Sequence, residues 1–204
     1  MLLKLLSNST GGKKVGNVLT GIKKTIIRGK KSNELKPILS GDRIVVYEEK
    51  LANQLLNRSF GETKKRGLYL NIYEALLLAE EKKLDVYDKS GKKVPLKKLM
   101  EVGESLNEGF AMKYDVFRDL RLARGYVVKP GIKFGCDFVV YARGKKPGRT
   151  HSKWMVQVIP ESARMDYSQL TGAARLATNV RKKLLLATVT ERGPVYYEVG
   201  RAKL

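Results

Sequence analysis

The most constraining feature of this chain is its second half, where short β-branched runs alternate with turn signals and two helical periods. Met112 to Arg124 puts Val116, Phe117, Leu120 and Ala123 on one face and Arg118, Arg121 and Arg124 among the polar positions. This spacing predicts an amphipathic helix ended by Gly125. Tyr126-Val127-Val128, a Pro130-Gly131 turn and Phe138-Val139-Val140-Tyr141 predict a hairpin. Trp154 to Ile159 predicts a buried strand stopped by Pro160, and Ser168 or Thr171 is expected to cap a helix reaching about Val180. Leu184 to Val189 and Val195 to Val199 follow as strands around an Arg192-Gly193-Pro194 turn. Strands with helices to either side pack as an α/β layer domain, here expected over residues 112–204.

The preceding stretch, residues 36–111, reads as a smaller α+β domain. Ile44-Val45-Val46-Tyr47 follows a Ser40-Gly41-Asp42 turn and predicts a strand; Glu48 to Asn57 repeats Leu51, Leu55 and Leu56 at helical spacing. Gly61 to Gly67 reads as a loop before a short strand at Leu68-Tyr69-Leu70. Asn71 with Glu74 three residues later is a capping-box signature for a helix running to about Lys83. A further helix is expected from Leu96.

Residues 1–35 differ from both. Lys13-Lys14, Lys23-Lys24 and Lys30-Lys31 recur between short apolar groups and glycines. The segment reads equally as a solvated tail and as an arm for RNA phosphates. It contributes to a chain-wide excess of 41 Lys and Arg over 20 Asp and Glu, a formal charge of +21. Such an excess points to a polyanionic partner, because basic side chains displace counterions condensed on nucleic acid. Charge alone does not separate RNA from DNA or from an anionic membrane surface. No apolar run approaches the roughly 18 residues of a membrane span. The single cysteine, Cys136, excludes an intrachain disulfide and fits a reducing cytoplasm.

Motifs narrow the chemistry by exclusion. Neither a GxxxxGK[ST] phosphate loop nor a GxGxxG cradle is present, so nucleotide hydrolysis and dinucleotide chemistry lack their usual seats. A metal-dependent nuclease needs clustered carboxylates, yet only Asp137 stands near a strand turn, and Trp154 to Ile159 carries no acid. The one histidine, His151, lies in a polar loop between two expected strands. Tyr141 ends the strand before it, and Lys182 ends the later helix. Metal-free RNA cleavage requires removal of a 2′-OH proton, protonation of the leaving 5′-oxygen and support for the phosphorane charge. Tyr, His and Lys can supply these, although Tyr141 reads equally as an ordinary strand-end aromatic.

Several blocks in order also resemble one family. Tyr114-Asp115-Val116-Phe117-Arg118-Asp119-Leu120-Arg121, Arg124-Gly125-Tyr126-Val127-Val128-Lys129 and Lys133-Phe134-Gly135-Cys136-Asp137-Phe138 lead to Tyr141 and then His151-Ser152. Val180-Arg181-Lys182-Lys183-Leu184 and Val195-Tyr196-Tyr197-Glu198-Val199 follow. These resemble the catalytic domain of archaeal-type tRNA-splicing (tRNA-intron) endonucleases, while Gly41 to Val46 and the Leu70 to Leu84 helix resemble the family's amino-terminal domain.

The resemblance implies a restriction-endonuclease-like catalytic domain with a mixed sheet flanked by helices. It implies Tyr141 as general base, His151 as general acid and Lys182 as stabiliser of the transition state, with Lys183 the competitor for that last role. An unperturbed tyrosine carries little phenolate at neutral pH. A nearby Lys182 ammonium would favour the phenolate, and the alternative is that Tyr141 orients the 2′-OH rather than fully deprotonating it. Arg175 and Arg201 stand where the family sandwiches a splayed base. The implied substrate is precursor tRNA with a bulge–helix–bulge, cut to 2′,3′-cyclic phosphate and 5′-OH ends without cofactor or metal. The implied assembly is a homodimer, a homotetramer or a heterotetramer with a structural subunit, paired through the Val195 to Val199 edge. The loop from Pro160 to Tyr167, with Glu161 and Asp166, reads either as an acidic docking tip or as a plain connector. The rival readings are a non-catalytic subunit of the same complex, a basic RNA-binding protein without activity, and a metal-dependent DNA nuclease.

Overall fold

The computed structural model describes residues 36–201, so the basic segment 1–35 and its two readings lie outside the described residues. Two sheets form. In the first, Ile38–Ser40 (β1), Arg43–Val46 (β2), Glu62–Lys64 (β3) and Gly67–Asn71 (β4) lie in the order β1-β2-β4-β3, antiparallel throughout. Glu49–Asn57 (α1), Ile72–Glu80 (α2) and Leu96–Leu106 (α3) accompany it. The second sheet follows Phe110–Arg118 (α4) and consists of Val127–Pro130 (β5), Phe138–Tyr141 (β6), Trp154–Val158 (β7), Lys183–Thr190 (β8) and Gly193–Val199 (β9), in sequential order. It is mixed: β7 and β8 run parallel, and the other pairs are antiparallel. A parallel pair needs a crossover, and Tyr167–Asn179 (α5) provides it. The α/β class read from the sequence is therefore the one observed. Among the described residues no helix is long and apolar enough to cross a membrane.

The capping box at Asn71 forms: its side chain accepts from Glu74 N at 2.9 Å, and Glu74 accepts from Asn71 N at 3.2 Å. The helix stops at Glu80 rather than near Lys83, because Lys82 turns left-handed at φ +53°. Lys82 N then bonds Ala79 O and Lys83 N bonds Leu78 O, the paired closure that satisfies terminal carbonyls. The Met112–Arg124 expectation is also amended. The α-helix begins at Phe110 and gives way after Arg118 to a π turn over Asp119–Ala123. That widening lets Asp119 take both Arg124 Nε at 2.6 Å and the Tyr196 hydroxyl at 2.7 Å.

Two further expectations are corrected. The supposed loop Gly61 to Gly67 contains β3, which pairs with β4 through Glu62↔Tyr69. All three of its residues are exposed, so no apolar alternation marked it. The cap of α5 is Asp166, not Ser168 or Thr171. Asp166 accepts from Gln169 N at 2.7 Å and Gln169 reaches back to Asp166 N, while Thr171 Oγ1 donates to Tyr167 O inside the helix.

One apolar core joins the sheets. Tyr73 on α2 packs on Phe110 with centroids 4.6 Å apart and edge-on to Phe138 at 5.2 Å, while Phe117 reaches Phe138 at 5.7 Å. Thus α2 and α4 are clamped between β6 and the first sheet. Beside them sits a buried ion pair. Glu74, 2% exposed, accepts from Lys129 Nζ at 2.7 Å and Gly61 N at 3.1 Å, and Lys129 also donates to Gly61 O at 3.0 Å.

Buried phenols give the fold a definite alkaline limit. Burial, reinforced by Glu80, pushes the Tyr114 hydroxyl above its ordinary value, and burial with Asp119 does the same at Tyr196. Their folded values lie above the unfolded value near 10. Their stabilisation is therefore complete below about pH 10 and is lost as pH rises toward the folded values. Urea midpoints at pH 8 and 10.5 are expected to fall less for Tyr114→Phe/Tyr196→Phe than for the unaltered chain. An equal fall in both would exclude these two groups as the cause.

Candidate active site

Strand register brings the sequence-selected residues to one end of the second sheet. Val140 pairs with Trp154, and Trp154 with Lys183. Hydrogen bonds from Lys153 N to Val140 O (2.8 Å) and from Lys183 N to Lys153 O (3.0 Å) extend these ladders by one residue. Tyr141 ends β6 there, Lys182 precedes β8, and the loop 142–153 carrying His151 spans the gap between β6 and β7.

Side-chain alternation then sorts them by face. Val139, Met155 and Leu184 are register partners, and Met155 and Leu184 pack with Ala174 and Ala177 of α5. Tyr141 and Lys182 lie two residues from Val139 and Leu184 and share that face. Their backbones are two strand spacings apart, about 10 Å. Lys183 points the other way and pairs with Glu198, which also accepts from Trp154 Nε1 at 3.2 Å. The two lysines therefore differ in placement: Lys183 is engaged on the opposite face, and Lys182 stands on the face of Tyr141.

Local structure aims each group. After α5, Arg181 adopts φ +55°; its N–H bonds Thr178 O at 2.9 Å and Lys182 N bonds Ala177 O at 2.8 Å. This closure normally favours glycine, so a non-glycine residue here carries backbone strain of about 1–2 kcal/mol. Half-buried Lys182 leaves it with Nζ 4.8 Å from the centre of the Phe134 ring. The His151 loop is tied down by Lys146 Nζ to Asn57 O (2.9 Å), at the end of α1, and by Arg143 Nε to Arg124 O (2.8 Å). Ser152 is buried while the neighbouring His151 is exposed. Among the described residues, neither the Tyr141 hydroxyl nor the His151 ring has a hydrogen-bond partner, so both are free to meet a ligand.

Electrostatics revise the tyrosine. Burial pushes the Tyr141 phenol above its ordinary value, the reverse of the expected bias toward phenolate. The Lys182 charge does not offset that desolvation. It is felt nearer by, at Cys136. Burial raises that thiol to about 11 while Lys182 pulls the other way. Asp137, the one acid near a strand turn, is spent on structure, pairing with Lys113 at 2.9 Å and accepting from Val158 N at 2.8 Å. Among the described residues no three His, Cys, Asp or Glu side chains stand together.

Arg175 on α5 and Arg201 beyond β9 line one cleft of about 720 Å³, with Tyr167 82% exposed at its rim. Both are exposed and form no ion pair among the described residues, leaving two guanidinium planes for stacking. Sequence reading missed Phe134 as the neighbour of Lys182 and Lys146 as the anchor of the histidine loop. Phe134 lies within one of the quoted blocks but without a role there, Lys146 lies in none, and only the three-dimensional contacts reveal what they do.

The chain was compared with known proteins. Residues 110–197 match the family described as tRNA intron endonuclease, catalytic C-terminal domain, and residues 36–100 match tRNA intron endonuclease, N-terminal domain. A protein named tRNA-splicing endonuclease from Thermococcus onnurineus (strain NA1) is 42% identical over 167 residues, 81% of this chain and 95% of that protein. One of the same name from Pyrococcus horikoshii is 43% identical over 169 residues, 80% of this chain and 96% of its own length. Another, from Methanococcus vannielii, is 36% identical over 167 residues, covering 81% and 93%.

Proposed function

The chain belongs to the tRNA-intron endonuclease family, and from that premise we propose that it cuts precursor tRNA at exon–intron junctions without a metal ion. The convergence of Tyr141, His151 and Lys182 at one end of the β5–β9 sheet carries this reading. The 2′-oxygen bonds to the adjacent phosphorus, the P–O5′ bond breaks, and 2′,3′-cyclic phosphate and 5′-OH ends result. Tyr141, a neutral phenol in the free protein, orients the 2′-OH and accepts its proton as attack proceeds. His151 donates a proton to the leaving 5′-oxygen, and the Lys182 ammonium supports the phosphorane charge.

The substrate is a bulge–helix–bulge, recognised by its shape and splayed bases. Arg175 and Arg201 grip one such base between guanidinium planes. Two cuts on a pseudo-symmetric RNA call for paired sites, hence self-association or pairing with a related subunit. The free edge of β9, with Tyr197 57% exposed, is the pairing surface. In the loop before α5, Asp166 is committed to its cap, leaving Glu161 as the acid available to dock a neighbour.

The test uses purified full chain and two RNAs, one with both bulges and one with the bulges closed by pairing. Two cuts in the bulged RNA and none in the paired RNA are expected. Equal cutting of both, or none of either, would overturn the reading.

A further inference from the structure

A second cleft adjoins Tyr141 and draws part of its wall from the other sheet. It encloses about 370 Å³ between β2 and β4 and the turn that follows β5, and Arg43, Tyr69, Ile132, Lys133, Phe134 and Tyr141 line it. Nothing in the catalytic reading uses Arg43, Tyr69, Ile132 or Lys133.

Its chemistry is specific. Tyr69, Phe134 and Tyr141 bring three aromatic rings to one concavity, and such rings are what unpaired bases stack upon. The volume suits a small organic group rather than a duplex. The charges of Glu74 and Lys129 neutralise each other at its base. Arg43 is held only by an exposed contact to Asp42 at 3.4 Å, Lys133 has no ion-pair partner among the described residues, and Lys64 lies 5.2 Å from the Tyr69 ring centre. Glu62 at the rim is the one remaining acid. At the mouth, Ile132 stands 82% exposed on a single 3-10 turn, an apolar side chain with no cover of its own.

We propose that this cleft receives an unpaired nucleotide next to the scissile phosphate. Tyr69 and Phe134 offer ring faces to its base, Ile132 covers its sugar, and Arg43 and Lys133 hold its phosphate. The first sheet thereby takes part in choosing the substrate. This inference rests on the function proposed above, since Tyr141 is common to the cleft and the cleavage site.

The experiment measures single-turnover cleavage of a bulged RNA against protein concentration for the full chain, Tyr69→Leu and Lys133→Gln. Urea midpoints check the fold, and Lys133→Gln, at an exposed turn, keeps the test alive if Tyr69→Leu is unstable. Each variant is expected to raise the half-saturating concentration about five- to tenfold, the scale of one stacked base or one phosphate contact. Removing the base from one particular bulge nucleotide is expected to abolish the Tyr69→Leu penalty while preserving that of Lys133→Gln. Unchanged half-saturation in both variants, or a Tyr69→Leu penalty that persists on every abasic RNA, would overturn the proposal. So would a change in particle mass for Ile132→Ser at unchanged half-saturation, which would make the cleft a contact between copies. Quenching of 2-aminopurine in the bulge reads occupancy without cleavage. Failure of the unaltered chain to cut is therefore distinguishable from failure of the cleft.

Discussion

His151→Ala is expected to slow single-turnover cleavage of a bulged RNA by about 10²–10⁴-fold, with little change in RNA affinity or in the urea midpoint. The side chain is exposed and hydrogen-bonds to nothing among the described residues, so its loss leaves no orphaned partner. The two lysines sharpen the same result. Lys182→Ala removes the cation on the face of Tyr141 and is expected to cost about 10²–10³-fold in rate. Lys183→Ala removes only an exposed pair with Glu198, an interaction of the kind that contributes about 0–1 kcal/mol to stability. A larger rate loss for Lys183→Ala than for Lys182→Ala would reverse the assignment. Loss of RNA binding in His151→Ala would make that residue a contact rather than a proton donor.

The second large effect is on stability. Glu74→Ala is expected to cost about 3–5 kcal/mol, because it strands the Lys129 ammonium in a site where that side chain is only 12% exposed. It also removes the acceptor of Gly61 N and Asn71 N, breaking the capping box of α2. Against a typical domain stability of about 5–15 kcal/mol, such a loss leaves the variant marginal. Glu74→Gln/Lys129→Met, which removes both charges and retains a hydrogen-bonding side chain, is expected to recover much of it. Urea unfolding measures both. A Glu74→Ala cost below about 1 kcal/mol would show that water reaches the pair and that it is not a bolt between α2 and β5.

What was legible in the sequence follows from where each signal is stored. Short β-branched and apolar runs and the Asn71/Glu74 pair are local, so β2, β6, β7, β8 and the start of α2 could be read directly. The strand β3 is exposed throughout and carries no period. At α5, three nearby residues could each cap, and only the reciprocal bond with Gln169 distinguishes Asp166 from Ser168 and Thr171. Tyr141, His151 and Lys182 were nameable from residue type and resemblance, but their common sheet end is a matter of register. So is the choice between Lys182 and Lys183, since one step along a strand reverses the face. The protonation role of Tyr141 was open in the sequence for a related reason. Burial pushes its phenol up, and it shares a cleft with Phe134 and with Arg43 and Tyr69 of the first sheet, neighbours invisible along the chain.

The most direct test of the account is cleavage of a bulged precursor in excess EDTA, with chemical identification of the new ends and a parallel RNA carrying one 2′-deoxy nucleotide at the junction. Undiminished cutting to 2′,3′-cyclic phosphate and 5′-OH ends, abolished by the single 2′-deoxy substitution, is the expected result. Cutting that stops in EDTA, leaves 5′-phosphate ends or proceeds through the 2′-deoxy junction would contradict metal-free 2′-OH attack by Tyr141, His151 and Lys182.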